Sequence, residues 1–323
     1  MYSQIVGTGG YLPERILTNF DLERMMDTSN EWIRERTGIE RRHIAADRQT
    51  TVDLAEPAAR AAIEAAGVRA GEIDFIVFGT STPDFIFPNC GVLLQERLGC
   101  RPGGPAFSLE TACSGFMYAL AVADKFVRAG EAHCALVVGA ETLSRVTDWT
   151  DRSTAVLFAD GAGAVVLRPA EAPGIISTHL HADGNYKDML YCPGGIARDT
   201  PAFAPAPKRA IRMSGNEVFK VAVTNLGKVV DEALAANGLA RTAIDWLVPH
   251  QANLRIIQAT ARKLELPMER VIVTVQDHGN TSTASVPLAL DVGVRDGRIR
   301  HGDLLLLEAF GAGVTWGAAL VRY

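Results

Sequence analysis

Three residues of this chain carry groups suited to acyl chemistry: Cys113, His250 and Asn280. Cys113 stands between the apolar run Ala106-Phe-Ser-Leu109 and a stretch in which Phe116, Leu120, Ala123 and Val127 recur at helical spacing. Gly130 ends that helix. A thiol at a helix N-terminus meets unpaired N–H groups and the positive end of the macrodipole, which predicts a favoured thiolate. Taken alone, a cysteine is more often a packed, inert thiol. His250 ends the run Trp246-Leu-Val-Pro and precedes a helix with Leu254, Ile257, Ala261 and Leu264 on one face. Alone it reads as a cap or surface residue. Asn280 follows a run, Val271 to Val275, that reads as a strand, and precedes a helix whose first turn accommodates Pro287.

What would gather these groups is a repeated chain. Short β-rich runs alternate with helical stretches, the pattern of an α/β fold with a mostly buried sheet. Phe75 to Phe78, Ala106 to Leu109, Ala135 to Val138 and Ala164 to Leu167 form one series; Trp246 to Val248, Val271 to Val275, Leu304 to Leu307 and Gly317 to Val321 form the other. Asp160-Gly-Ala-Gly-Ala before the last strand of the first series is answered by Phe310-Gly-Ala-Gly-Val in the second. These echoes predict an internal duplication, residues 1–170 and 171–323, whose strand ends meet at a pseudo-twofold axis. Cys113 and Asn280 then fall in the same strand-to-helix turn of the two halves, with His250 ending a neighbouring strand. A nucleophilic thiol, an imidazole and an amide donor at one point suit covalent acyl transfer with stabilisation of an enolate. Gly174 to Arg212, with Pro201, Pro205 and Pro207, reads as a strand followed by a long surface loop.

Composition narrows the setting. The 323 residues are 48% hydrophobic and 21% charged, an ordinary globular balance that excludes a disordered or collagen-like chain. The five cysteines are odd in number with no C-x-x-C pair, and the first residues lack a basic and apolar signal region, so a reduced, cytoplasmic setting is expected. No apolar stretch approaches the roughly 18 residues of a membrane span. A net charge of -5 argues against a general nucleic-acid or anionic-membrane binder, while leaving room for a local basic patch.

Four ordered motifs then carry a family resemblance: Thr111-Ala-Cys-Ser-Gly-Phe116, Pro249-His-Gln-Ala-Asn253, His278-Gly-Asn-Thr-Ser282 and Glu308-Ala-Phe-Gly-Ala-Gly-Val-Thr-Trp-Gly317. Together with Gly7-Thr-Gly-Gly-Tyr-Leu-Pro13 and Asp27-Thr-Ser-Asn-Glu-Trp-Ile33, they resemble the β-ketoacyl-acyl-carrier-protein synthase III family over essentially the whole chain. The resemblance implies a duplicated thiolase-like fold, layered αβαβα, as a homodimer that starts fatty acid synthesis. Cys113 would take an acetyl group from acetyl-coenzyme A. His250 and Asn280 would hold the thioester oxygen of malonyl-acyl-carrier protein as carbon dioxide leaves, and the product would be acetoacetyl-acyl-carrier protein. The backbone N–H groups of Cys113 and of the Gly311-Ala312-Gly313 turn would form the oxyanion hole; Ala312 replaces the commoner middle glycine, tolerable unless its φ is positive.

The resemblance also implies that Thr28, Trp32, Arg36 and Arg152 meet coenzyme A, with Trp32 and Arg152 sandwiching the adenine, and that Gly215 and Asn253 meet the pantetheine arm. Phe87 resembles the residue that closes the acyl pocket from the partner subunit and is otherwise core; Leu143, Phe158 and Phe310 complete that pocket. Lys220, Arg255, Arg262 and Lys263 would dock the acidic carrier protein, although without the resemblance a solvated polar face is the favoured explanation. No cofactor beyond the thioester substrate is implied. Gly7-Thr-Gly-Gly10 fails as a dinucleotide fingerprint because Leu12 and Pro13 follow, and His179-x-His181 lacks a third metal ligand nearby in sequence. Thiolase itself is disfavoured because no cysteine follows Cys192. Two rivals remain, a starter enzyme or acyltransferase with another primer and a catalytically silent binding scaffold.

Overall fold

The computed structural model describes residues 1–198 and 209–323. One five-stranded sheet runs in the order Tyr2–Tyr11, Asp160–Ala170, Ala135–Thr142, Phe75–Gly79, Ala106–Leu109. The last three strands are parallel, and Asp160–Ala170 is antiparallel to both neighbours. A four-stranded sheet runs Trp246–Pro249, Leu304–Gly311, Thr315–Arg322, Ile175–Ala182, parallel only at its first pair. Both central strands, Ala135–Thr142 and Leu304–Gly311, are buried along their whole length. That is why their sequences read as unbroken apolar runs rather than as alternation.

Helices Gly115–Arg128 and Ser285–Arg295 each pack against strands of both sheets and so form a central layer. Thr51–Ala65 and Cys90–Leu98 cover the outer face of the first sheet, and Gly215–Ala236 covers that of the second. The result is the αβαβα sandwich of a thiolase-like fold. Where the first sheet meets the turn before Ser285–Arg295, the chain needs glycine: a Cβ on Gly139 would lie 2.5 Å from the Thr283 carbonyl oxygen.

The two central helices enter alike. A one-turn 3-10 segment, Ala112–Ser114 or Ser282–Ala284, precedes each, and its first residue is left-handed, with φ of 46° at Ala112 and 51° at Ser282. By this register Thr283 is the counterpart of Cys113, and Asn280 stands three residues before it.

Two local expectations are corrected. Val271 to Val275 is not a strand: Val271 makes a single parallel bridge to Leu247, and Val275–His278 is a helical turn. The buried Gln251 carboxamide takes the place of a ladder, with Oε1 accepting from the Thr274 and Val275 N–H groups and Nε2 donating to the Pro249 and Ile272 carbonyls. The long loop after Ala182 contains a two-stranded ribbon, Leu190–Tyr191 with Arg212–Met213. Its Pro201, Pro205 and Pro207 lie outside the described residues.

Candidate active site

The left-handed angle at Ala112 is sterically unfavourable for a residue with a Cβ and must be held by its surroundings. Thr283 Oγ1 donates to the Ala112 carbonyl at 2.7 Å, and Ser114 Oγ, 2.7 Å from Thr315 Oγ1, donates to the Thr111 carbonyl at 2.8 Å. Of these side chains, Thr283 and Thr315 come from segments far along the chain from the turn they hold. The strained turn therefore presents Cys113 to a cavity of about 310 Å³ that His250 and Asn280 also line.

The expected low-pKa thiolate is overturned. Burial pushes the Cys113 thiol up to about 12; the Ser282 hydroxyl pulls the other way, but the carboxyls of Glu141 and Glu110 push further up. Removal of the sulfur from water outweighs the hydrogen bonds that favour its thiolate. The resting group is a thiol, and its proton must be taken during attack.

The His250 imidazole lines the same cavity. Burial lowers its imidazole to about 3, so the ring is neutral at ordinary pH. Its Nδ1 is hydrogen-bonded to Ser285 Oγ, on the first residue of the central helix, and no hydrogen bond to Nε2 is found among the described residues. The His250 N–H donates to the Glu308 carbonyl, fixing it at the end of its strand. Asn280 is held by three bonds: its N–H to the Leu157 carbonyl, the Ala159 N–H to its carbonyl, and the Ser282 N–H to its Oδ1 at 2.9 Å. The Ser282 bond fixes which way the amide faces, and its Nδ2 hydrogens are left to offer a ligand.

The Gly311-Ala312-Gly313 turn abuts Cys113, since a Cβ on Gly311 would lie 3.0 Å from the Cys113 nitrogen. The left-handed angle falls on Gly313, φ 114°, not on Ala312, so the alanine is accommodated without strain.

Trp32, Arg36, Gly215, Asn253 and Phe310 line the same cavity as the three chemical groups. Arg36 and Arg152 each place a guanidinium carbon 5.2 Å from the Trp32 ring centroid. That contact leaves no room for a base between Trp32 and Arg152, so an adenine sandwich requires Arg152 to swing out from its bond to the Asp27 carbonyl. Neither Thr28 nor Arg152 lines the cavity. Leu143, Phe158 and Ala312 line a second cavity of about 320 Å³ that also reaches Cys113, and Phe158 borders both. Phe87 lines neither; it is 83% exposed, which excludes a core role within this chain. Lys220, Arg255, Arg262 and Lys263 are exposed on two helices packed together, Gly215–Ala236 and Leu254–Lys263. Arg255 borders the cavity and stacks on Phe219, whereas Lys263 pairs with Asp231 at 3.4 Å.

Comparison with known proteins settles the relationship. Residues 107–184 match the family described as 3-oxoacyl-acyl-carrier-protein synthase III, and residues 234–323 match its C-terminal region. A β-ketoacyl-acyl-carrier-protein synthase III of Alkalilimnicola ehrlichii is 63% identical over 100% of this chain and 99% of its own length. One from Xanthomonas campestris pv. campestris is 62% identical with the same coverage. The chain belongs to the β-ketoacyl-acyl-carrier-protein synthase III family. The crystal structure of the Aquifex aeolicus 3-oxoacyl-acyl-carrier-protein synthase III, 45% identical, superposes with a TM-score of 0.93 over 99% of this chain and 100% of that one. As a family member the chain is a condensing acyltransferase. Among the described residues no group of histidine, cysteine or acidic side chains is arranged to hold a metal, and no helix is long and apolar enough to cross a membrane.

Sequence reasoning missed two buried carboxyls beside this family site. Glu141 accepts from the Ser81 N–H and from the hydroxyls of Thr82, at 2.7 Å, and Thr283, at 2.9 Å; burial pushes it to about 7. Glu308 borders the cavity with its Oε2 unpartnered, and burial pushes it to about 8. The available signal was a lone acid within an otherwise apolar run, Glu141 after Ala135 to Ala140 and Glu308 after Leu304 to Leu307. Both raised values act on stability with one sign. The unfolded chain ionises first, near the ordinary 4.5, so stability falls as pH climbs from about 4.5 toward about 8. Replacing Glu308 with Gln should flatten the decline of Tm between about pH 5 and about pH 8. An unchanged slope in the variant would show that Glu308 is ionised in the folded chain.

Proposed function

We propose that this chain catalyses the decarboxylative condensation of acetyl-coenzyme A with malonyl-acyl-carrier protein, giving acetoacetyl-acyl-carrier protein, carbon dioxide and free coenzyme A, and so initiates fatty acid synthesis. The observation that carries this reading is the convergence of Cys113, His250 and Asn280, from three separate segments, on one cavity whose walls include Trp32 and Arg36.

In the first half-reaction the Cys113 sulfur attacks the acetyl carbonyl while neutral His250 accepts the thiol proton, later passed to the departing coenzyme A sulfur. The Ser285 hydroxyl can donate or accept, so it supports either imidazole tautomer. The Cys113 and Ala312 N–H groups hold the tetrahedral oxygen. In the second half-reaction His250 Nε2–H and Asn280 Nδ2–H hold the malonyl thioester oxygen. The C–C bond to the carboxylate breaks, carbon dioxide leaves, and the enolate carbon attacks acetyl-Cys113, which departs as thiolate and regains a proton.

Thr28, Trp32, Arg36 and Arg152 are assigned to coenzyme A, Gly215 and Asn253 to the pantetheine arm, and Leu143, Phe158 and Phe310 to the acyl pocket. The reading includes a homodimer in the cytoplasm. Ala106–Leu109 ends its sheet with a neighbour on one side only, and Phe85, Ile86 and Phe87 are exposed together, a surface suited to a second copy that would bring Phe87 to its partner's pocket.

Purified protein given acyl-coenzyme A primers from acetyl to octanoyl, including branched chains, with malonyl-carrier protein should form the acetyl-derived product fastest. No product from any primer would overturn the reading. Neutralising Arg255 should raise the KM for malonyl-carrier protein several-fold and leave acetyl transfer from coenzyme A nearly intact. An unchanged KM would remove Arg255, and the Lys220, Arg262 and Lys263 surface with it, from carrier docking.

A further inference from the structure

Arg42 is fully buried, at 0% exposure, and no carboxylate among the described residues faces it. Burial lowers its guanidinium only to about 10, so it is charged at neutral pH. A buried cation without a counter-ion is costly, and an apolar side chain would fill the same space more cheaply. What the guanidinium adds is directed bonds. Nη1 donates to Asn19 Oδ1 at 2.8 Å, and Nη2 donates to the Val156 carbonyl at 2.7 Å.

Each bond leads to a different part of the site. Asn19 Nδ2 donates in turn to Asn30 Oδ1 at 3.1 Å and to the Ile39 carbonyl at 2.8 Å, bracketing the helix Asn30–Thr37 that carries Trp32 and Arg36. Val156 begins the segment whose next residue, Leu157, accepts the Asn280 N–H and whose Ala159 donates to the Asn280 carbonyl. The aliphatic stem of Arg42 also backs this loop, since a Cβ on Gly279 would lie 3.1 Å from the Arg42 Cβ.

We propose that Arg42 is a positioning residue that ties the helix carrying Trp32 and Arg36 to the backbone cradle of Asn280, setting the amide donor for the decarboxylation step. This rests on the reading of Asn280 as an enolate-stabilising donor. Cys113 and His250 are held by other bonds, so the two half-reactions respond differently. Lysine at position 42 keeps the charge but cannot span both acceptors.

The test measures, for wild type, Arg42→Lys and Asn19→Ala, the rate of Cys113 acetylation at saturating acetyl-coenzyme A and the rate of labelled carbon dioxide release from malonyl-carrier protein by acetylated enzyme. Arg42→Lys should acetylate within about twofold of wild type and release carbon dioxide roughly tenfold more slowly, the scale of one lost charge-assisted hydrogen bond. Asn19→Ala cuts only the helix side and should raise the KM for acetyl-coenzyme A while carbon dioxide release stays near wild type. Equal loss of both half-reactions in Arg42→Lys, or no loss in either, would overturn the proposal. Wild-type enzyme that acetylates but releases no carbon dioxide would instead overturn the parent reading, and this one with it.

Discussion

Cys113→Ala lowers condensation by at least roughly a thousandfold, because no other group at the site can hold the acetyl unit between the half-reactions. Cys113→Ser should be nearly as inactive. A buried hydroxyl is harder to ionise than the thiol, which burial already pushes to about 12, and neutral His250 is too weak a base to compensate. The loss should fall on kcat and on the amount of covalent adduct, while binding of acetyl-coenzyme A persists, since Trp32 and Arg36 lie on a different element. A Cys113→Ala variant retaining a tenth of wild-type turnover would remove the covalent step.

The second large effect concerns the enolate. Asn280→Ala should slow carbon dioxide release from malonyl-carrier protein by about a hundredfold, the measured scale for one oxyanion donor. Acetylation of Cys113 should change by a few-fold at most, because the bonds that hold the Cys113 turn come from Thr283 and Thr315. His250→Ala should impair both half-reactions, decarboxylation the more, since the imidazole is proton acceptor in one and donor to the enolate oxygen in the other. If both variants lost both half-reactions equally, the division of roles would be wrong. Comparing acetylation under single-turnover conditions with labelled carbon dioxide release separates the cases.

The α/β class was legible because burial on both sheet faces writes long apolar runs, whereas the register of the two turns was not, since Thr283 rather than Asn280 is the counterpart of Cys113. Periodicity reports burial, however, and not what fills the hydrogen bonds. The Val271 to Val275 run is as apolar as a strand, yet the Gln251 side chain satisfies its backbone. The helix-start position of Cys113 was equally plain, but its proton affinity was not. That value depends on desolvation by residues far away in the chain and on Glu141, whose carboxyl meets the turn only after the halves fold together. Phe87 shows the same limit, for an aromatic beside Pro88 gives no sign in sequence of whether its ring is packed or bare. Arg42, beside Arg41, reads as an ordinarily solvated charge, and the lone acid Glu308 in its apolar run gives no sign of how deeply it is enclosed; only three-dimensional packing shows these two buried.

The most direct test is the fate of a labelled acetyl group. Incubation with acetyl-coenzyme A, followed by intact mass and peptide mapping, should find one acetyl group per chain on Cys113. Addition of malonyl-carrier protein should then clear the label into acetoacetyl-carrier protein with one carbon dioxide released for each acetyl lost. No adduct, an adduct on another thiol such as the exposed Cys192, or an adduct on Cys113 that malonyl-carrier protein leaves in place would contradict the account.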